Sequence, residues 1–361
     1  MKIFIIIFLN LLFVCCARIT PDNKYLVVVD KFPLNIELKA EDLKVAPVLL
    51  KPSRMIIVDS FLIVYQNRKD TMISIFALPD CKYIKGFGQQ GRGPEEFNLA
   101  FANTFKPVHF SLNSSFGMGN NMTNIQYYKI MDVLNNNIKP YKIVSLPAKL
   151  NGFRAITYFT DTLIIGAPYR GNMDLFKYQV LSNEMVSFRD YDKEFPLMDP
   201  EIKREVYGCF MDGKPDNSKL VISYGNKGII EILNINNNKH IEIKYKDFPT
   251  LEENLKLDNN SKVITFNPEQ MVFCWGIVAT NKHIYARINN TQYKNIAGRE
   301  GMIRTFIAGI HVFDWSGNPV AIIKPDKFYN CFYIDEKDNY LYTIDENLEN
   351  IIRRYDLSSI L

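Results

Sequence analysis

The chain has 361 residues, of which 47% are hydrophobic and 23% charged, and its formal net charge at pH 7 is +4. This balance is that of a globular protein and excludes a disordered chain. The net charge is small and no run is dense in Lys and Arg, which argues against a nucleic-acid partner. Aromatic residues make up 13% of the chain, a share that favours strands over helices.

The N-terminus has the pattern of a signal peptide. Lys2 precedes an apolar stretch from Ile3 to Val14 that only Asn10 interrupts. A helix of about a dozen residues is too short to cross a hydrocarbon core of roughly 30 Å. A stretch of this length is typical of the hydrophobic region of a secretory signal. We therefore expect the protein to be exported.

The apolar stretch ends in Leu12-Phe13-Val14-Cys15-Cys16-Ala17, which resembles a bacterial lipobox. We predict that Cys16 is lipidated, with Cys15 at the position where lipoboxes usually carry Gly, Ala or Ser. The alternatives are cleavage before Cys15, plain secretory cleavage near Ala17 and an uncleaved anchor. The lipobox interpretation makes residues 1–16 a lipoprotein signal peptide and residues 17–361 a single domain. It places the protein in the bacterial cell envelope, attached to a membrane through its lipid.

A unit made of a polar turn and a short apolar strand recurs six times in the rest of the chain. The copies follow one another at roughly fifty-residue spacing, which is the spacing of β-propeller blades. Their first apolar residues are Leu62, Phe116, Leu163, Leu220, Ile284 and Leu341. The recurrence predicts six similar structural units.

A second recurring unit follows the first and shows the alternation of a half-buried strand. Its aromatic or Leu positions are Phe76, Tyr128, Tyr178, Leu233, Phe313 and Tyr355. The two series keep a nearly constant offset, except that the fifth copy carries about fifteen extra residues, from Asn289 to Thr305. Together they predict an all-β fold, a six-bladed β-propeller of four-stranded antiparallel blades. A pair of β-sandwiches is the alternative, but the sequence shows no plausible linker between two halves.

The sixth copy lacks a fourth strand, because the sequence ends shortly after its third. We expect an N-terminal strand to complete this last blade, supplied by Tyr25 to Val29 or by Leu34 to Leu38. Closure of this kind removes exposed strand edges, which otherwise invite aggregation.

A glycine-rich segment after the first blade carries a family resemblance. The segment runs from Gly86 to Phe97, and the positions that match are Gly88, Gly91, Gly93, Pro94, Glu96 and Phe97. They resemble the G-x-x-G-x-G-P-x-E-F pattern of the TolB-like six-bladed β-propeller lipoprotein family of Bacteroidota-type bacteria. The lipobox and the overall length fit this family as well, so the resemblance covers essentially the whole mature chain. It implies a propeller fold and a cell-envelope location, but no reaction.

The same segment also spells Gly86-x-Gly88-x-x-Gly91, the spacing of a dinucleotide-binding fingerprint. That fingerprint works only where a helix begins in the loop, because the helix N-terminus receives the pyrophosphate. Here Gly93 and Pro94 follow at once and no amphipathic helix comes after them. We therefore interpret the glycines as structural residues of a tight connection, and we expect no cofactor.

The connections between blades and those from the second to the third strand of a blade emerge on one face of a propeller. We predict that this face is net positive and binds an anionic ligand or an acidic partner. The candidate binding residues are Arg92, Tyr169, Arg170, Lys294, Arg299 and Arg304. The alternative is that these are ordinary solvated loop tips.

Side chains for catalysis or metal binding are sparse in this sequence. Neither Cys81, Cys209, Cys274 and Cys331 nor the four histidines show the spacing of a metal site, and no nucleophile motif occurs. We predict no catalytic residue and no bound metal. The predicted function is non-catalytic binding of an envelope protein, a glycan or a small anionic ligand. The alternative, a hydrolase or lyase acting on a glycan or lactone, requires acids, histidines or a metal that converge at the central channel.

Overall fold

The computed structural model describes residues 24–360 except 92, 94–95, 98–99, 110–113, 121–123, 148–152, 169–174, 190–207, 238, 256–268 and 297–305. The predicted signal peptide and Cys16 therefore lie outside the described residues. Within the described part, no helix is both long and apolar enough to cross a membrane.

The N-terminal segment contributes three strands, β1 (Lys24–Val29), β2 (Leu34–Leu38) and β3 (Glu41–Lys44). Blade 1 follows with β4 (Pro52–Val58), β5 (Phe61–Gln66), β6 (Ile73–Ala77) and β7 (Lys82–Phe87). Blade 2 has β8 (Ala100–Pro107), β9 (Ser115–Asn120), β10 (Asn124–Lys129) and β11 (Lys142–Ser145), with the short helix α1 (Ile130–Leu134) before its last strand. Blade 3 has β12 (Phe153–Tyr158), β13 (Leu163–Pro168), β14 (Leu175–Gln179) and β15 (Glu184–Arg189).

Blade 4 has β16 (Cys209–Gly213), β17 (Lys219–Tyr224), β18 (Ile229–Asn234) and β19 (His240–Tyr245), and helix α2 (Leu251–Leu255) follows it. Blade 5 has β20 (Met271–Ala279), β21 (His283–Gln292), β22 (Gly309–Asp314) and β23 (Pro319–Pro325), with α3 (Tyr293–Ile296) after its second strand. Blade 6 begins with β24 (Cys331–Ile334), β25 (Tyr340–Ile344) and β26 (Ile351–Asp356). The first strands of successive blades contact one another, and β24 contacts β4, so the six sheets form a closed ring.

The structure confirms the six-bladed fold and both recurring series. Every position of the first series lies in the second strand of a blade, and every position of the second series lies in the third strand. These middle strands are apolar because each blade packs a neighbour against both of its faces. In β5, Leu62, Ile63 and Val64 are consecutive and all fully buried. The extra residues of blade 5 follow its second strand as expected, but β21 extends to Gln292, so the insertion begins later than predicted.

The prediction for the closing strand is wrong in its choice of segment. An N-terminal strand does complete blade 6, but it is β3, which pairs antiparallel with β26. The two segments that were predicted, β1 and β2, instead add as parallel fifth strands to β19 in blade 4 and to β23 in blade 5.

The reason lies in the charges of β3, which an apolar pattern does not detect. Asp42 Oδ1 lies 3.2 Å from Arg353 Nε, and Glu41 Oε2 lies 2.7 Å from Arg354 Nη2. Both arginines belong to β26, so the pairing of these strands brings opposite charges together. Cross-strand pairs of opposite charge stabilise a particular register.

The antiparallel order of each blade defines two faces of the ring. We call the loop face the one that carries the connections between blades and those from second to third strands. The turn face carries the first-to-second and third-to-fourth connections. The described residues of the segment from Gly88 to Phe97 lie on the loop face, where the amide of Gln90 donates to the carbonyl of Lys69 in the second-to-third loop of blade 1 (2.6 Å).

Candidate functional site

A cavity of about 100 Å³ lies on the axis of the ring and is lined by the first strands of all six blades. Its charged lining residues are Arg54 from β4 and Lys106 from β8. The remaining lining is mainly apolar and aromatic, and includes Phe210 and Trp275. None of the described residues that line this channel is a carboxylate. The channel therefore presents cationic groups on an apolar wall.

At the end of the channel near the turn face, a buried carboxylate neutralises the charge of Lys106. Lys106 Nζ lies 3.2 Å from Asp212 Oδ1, and the Lys106 ammonium also donates to the carbonyl of Met211 (3.1 Å). Asp212 is only 4% exposed, and its other oxygen accepts the amide of Ala279 at 3.0 Å. Burial lowers the pKa of the nearby His109, and the charge of Asp212 opposes this shift. This end is held together by internal hydrogen bonds and is suited to structure rather than to ligand exchange.

Toward the loop face, a second buried cation borders the channel. The Arg287 guanidinium is 4.9 Å from the ring centroid of Tyr329 and 6.0 Å from that of Trp275. It donates to the carbonyl of Asn330, a residue that lines the channel (2.8 Å). Contacts of this kind hold a guanidinium at a fixed place on an aromatic wall. The mouth of the channel is thus both cationic and aromatic.

One buried polar group near this mouth has no partner among the described residues. Asn289 lies on β21, two residues after Arg287, and is 6% exposed. Neither its amide oxygen nor its amide nitrogen has a hydrogen-bond partner in the described part of the chain. Because buried amides are nearly always hydrogen-bonded, Asn289 is a candidate contact for a ligand or for the loop that follows α3.

Within the glycine-rich segment, the carboxylate of Glu96 accepts a hydrogen bond from the backbone. The amide of Gly93 donates to Glu96 Oε2 (2.7 Å), and the amide of Gly91 donates to the carbonyl of Phe97 (3.1 Å). A Cβ on Gly91 would lie 1.9 Å from Glu96 Oε2, so a larger residue there would displace this carboxylate. Gly88 has a φ of +88°, which glycine adopts without strain. A carboxylate already lies where an anion would enter, and this geometry favours the structural interpretation over a phosphate site.

Two exposed basic residues on the loop face are engaged in ion pairs. Arg68 Nε lies 2.8 Å from Asp70 Oδ1, within the second-to-third loop of blade 1. Lys294 Nζ, in α3, lies 2.7 Å from both carboxylate oxygens of Glu269. These neighbours offset the charge that Arg68 and Lys294 contribute to the face.

The cysteines of the described chain are not disposed as nucleophiles. Cys81, Cys209 and Cys274 are buried, and Cys331 is partly exposed and lines the channel. Burial raises the pKa of the Cys81 thiol to about 12 and that of Cys274 to about 11, and it also raises the pKa of Cys331. The thiolate is the reactive form, so Cys81, Cys209 and Cys274 act as buried apolar groups.

Comparison with known proteins identifies the family. The sequence profile of the family described as TolB-like 6-blade propeller-like matches residues 30–337. The chain belongs to this family. No curated protein is similar enough in sequence to match this TolB-like propeller.

Two solved structures share the fold of this TolB-like propeller. One is a member of the DUF4221 family from Bacteroides vulgatus, with a TM-score of 0.58 and 12% sequence identity, covering 89% of this chain and 98% of its own. The other is a Bacteroides fragilis protein predicted to be exported, with a TM-score of 0.58 and 11% identity, covering 92% of this chain and 98% of its own. At such low identity the similarity shows the fold alone.

The structure describes one of the six predicted binding residues, Lys294, and places it on the loop face in its pair with Glu269. The other five lie outside the described residues: Arg92, Tyr169, Arg170, Arg299 and Arg304. Pro94 of the glycine-rich segment also lies outside them.

Arg54, Lys106, Arg287 and Asn289 were not predicted from the sequence. The available signal was a basic or amide side chain inside an otherwise apolar strand, a pattern that marks a polar group directed into the interior.

Proposed function

We propose that this TolB-like propeller is an exported, lipid-anchored protein of the bacterial cell envelope whose loop face binds an anionic ligand without catalysis. The observation that carries the proposal is the loop-face end of the channel, where Arg54 lines the wall, Arg287 borders it beside aromatic side chains, and no described lining residue is a carboxylate. Low-dielectric walls strengthen the attraction of such cations for an anion at the mouth. The absence of converging acids along this described lining gives the hydrolase alternative no support.

The size of the channel decides where the ligand lies. Sites for organic ligands usually enclose about 300–1,000 Å³. The channel encloses about 100 Å³, which is room for water or a small ion. An acidic sugar or an acidic peptide therefore lies across the mouth, in contact with Trp275 and with the surrounding loops. We expect the predicted residues to contribute from those loops: Arg92, Tyr169, Arg170, Arg299 and Arg304.

The position of β1 supports the lipid anchor and gives the molecule an orientation. Lys24 lies eight positions after Cys16, and eight extended residues reach at most about 29 Å. Lys24 pairs with His240, at the turn-face end of blade 4. A lipid on Cys16 holds this end near the membrane, so the loop face is directed away from it. The similar protein from Bacteroides fragilis, predicted to be exported, agrees with this location.

The binding proposal is tested by reversing positive charges on one face in one variant and on the other face in a second variant. One variant carries Arg92→Glu, Arg170→Glu and Arg299→Glu on the loop face. A matched variant carries glutamates in place of three exposed turn-face lysines, Lys82, Lys282 and Lys337. Both variants change the net charge by the same amount, so only the location of the change differs.

The probe is a heparin column, followed by an array of acidic and neutral oligosaccharides. We expect the loop-face variant to elute at a lower salt concentration than the wild-type protein, and the turn-face variant to elute close to it. Array binding should be confined to acidic glycans and lost with the loop-face charges. Equal elution of the two variants would refute the proposal.

The anchor is tested by the mass of the mature N-terminus. We expect a chain that begins at an acylated Cys16 and partitions into detergent. Cys16→Ala should abolish acylation and release the protein from the membrane fraction. An unmodified N-terminus near Ala17 would show plain secretion instead.

A further inference from the structure

Three potential metal ligands meet on one face of blade 4. Glu231 on β18 and Glu242 on β19 are direct cross-strand partners. His240 lies two residues before Glu242 and so projects from the same face of the strand. Within the described residues, this is the one group of three His, Cys, Asp or Glu side chains whose ligand atoms all lie within 4.8 Å of one another.

The distances in this group suit coordination better than hydrogen bonding. His240 Nε2 lies 3.6 Å from Glu231 Oε1, beyond hydrogen-bond range. The His240 side chain is 13% exposed, and its Nε2 atom is shielded from solvent without a hydrogen-bond partner in the described part of the chain. Two atoms that are each about 2.1 Å from a tetrahedral Zn²⁺ lie about 3.4 Å from each other. Small shifts of the side chains therefore bring both atoms onto one ion.

The electrostatics of the group also favour a cation. Carboxylates directly opposite each other on neighbouring strands repel, and Glu231 is only 2% exposed. The buried hydroxyl of Tyr224 donates to Glu231 Oε2 at 2.9 Å. This bond orients the carboxylate so that Oε1 is the oxygen nearest the imidazole. A hydrogen bond to a ligating carboxylate is typical of the surroundings of metal sites.

We propose that Glu231, His240 and Glu242 bind one divalent transition-metal ion of the Zn²⁺ class. A histidine ligand selects against Ca²⁺ and Mg²⁺, which prefer oxygen, and a mixed nitrogen and oxygen set suits Zn²⁺. His240 and Glu242 are partly exposed, which gives the ion access from solvent, and water completes its coordination. The site cross-links β18 to β19, the strand on which β1 lies. Its role is structural, and it is separate from the loop face.

The chain contains a matched control for this site. His283 Nδ1 lies 3.6 Å from Asp338 Oδ2, and Tyr285 donates to the other oxygen of Asp338 at 3.0 Å. This group repeats the histidine, the carboxylate and the tyrosine of blade 4. Within the described residues it has no third ligand in reach. Glu242 is therefore the residue that distinguishes a metal site from an ordinary pair.

The test is calorimetric titration of ZnCl₂ into the chelator-stripped, detergent-solubilised mature protein, with metal content measured after dialysis. We expect one Zn²⁺ per chain. His240→Gln and Glu242→Gln should each weaken binding by about 100-fold or more, whereas His283→Gln should leave it unchanged. Tyr224→Phe, which alters only the orientation of Glu231, should weaken it by about 10–100-fold.

Two outcomes of the titration would overturn the proposal. No saturable binding by the wild-type protein overturns the proposal, and so does an equal affinity of wild type and Glu242→Gln. Circular dichroism and thermal unfolding in chelator establish that the variants are folded. If His240→Gln does not fold, Glu242→Gln carries the test alone, because Glu242 is partly exposed and its amide analogue has the same shape.

Discussion

Acid should destabilise the seam between blades 4 and 5 through one histidine. His311 on β22 lies under the N-terminal segment, with its ring centroid 4.8 Å from that of Phe32 in an edge-on contact. Its Nδ1 atom is 2.6 Å from the hydroxyl of Tyr245 on β19. Burial lowers the pKa of His311 from its ordinary value of 6.5 to about 4. The folded protein therefore holds this imidazole neutral at pH values where the unfolded chain protonates it.

The size of the effect follows from proton linkage. Above pH 6.5 His311 is neutral in both states and its contribution is fully present. Between about 6.5 and 4 the unfolded chain binds the extra proton, so stability falls as the pH falls. A pKa of 6.5 in the unfolded chain and about 4 in the folded protein lowers the free energy of unfolding by about 2 kcal/mol between pH 7 and pH 5. His311→Gln removes this dependence.

The assay is urea unfolding of the wild-type protein and of His311→Gln at both pH values. We expect the wild-type protein to lose about 2 kcal/mol more than the variant on acidification. A histidine NMR titration, assigned with the same variant, should show a resonance that titrates far below pH 6.5. Equal losses in the two proteins, or an ordinary titration of His311, would refute the reasoning.

Three further predictions concern stability and reactivity. Gly88→Ala should lower the free energy of unfolding by about 1–3 kcal/mol, because φ is +88° and the new Cβ would lie 2.8 Å from a carbon of Phe97. The control is Gly309→Ala, whose Cβ would meet no atom closer than 3.5 Å and which should change the free energy little in the same urea assay. Asp212→Ala should lower the free energy of unfolding by about 3–5 kcal/mol, because it leaves the Lys106 ammonium without its buried partner. Asp70→Ala, which removes one partner of an exposed ion pair, should leave the unfolding curve unchanged. The three buried cysteines, Cys81, Cys209 and Cys274, should react with Ellman's reagent only upon unfolding. Rapid reaction of these thiols in a native Cys331→Ser variant would contradict their burial.

The blade count could be predicted because every blade packs its middle strands in the same way. Each second strand lies between two neighbouring blades, so residues such as Leu62 and Leu341 recur at fixed positions. The glycine-rich segment also leaves a sequence pattern, since Gly88 has a positive φ and a side chain on Gly91 would displace the carboxylate of Glu96. Local constraints of this kind leave a pattern in the sequence.

The features that escaped prediction depend on distant parts of the chain. β3 is a strand because Glu41 and Asp42 meet arginines more than 300 positions away. The channel collects two to four residues from each blade, among them Arg54 and Lys106, and no spacing relates them. The triad of blade 4 was missed because only its His240-x-Glu242 half is local, and a search for helical histidine spacings does not detect two ligands on one strand.

The central claim is that an anionic ligand lies over the mouth of the channel, and the fluorescence of Trp275 tests it most directly. The protein has two tryptophans, and Trp315→Phe leaves Trp275, at the channel wall, as the single emitter. Titration of this variant with a sulfated heparin oligosaccharide should give a saturable change in emission. The change should disappear when Arg92, Arg170 and Arg299 are reversed to glutamate. An emission that stays constant, or a change that survives the reversal, would contradict the account.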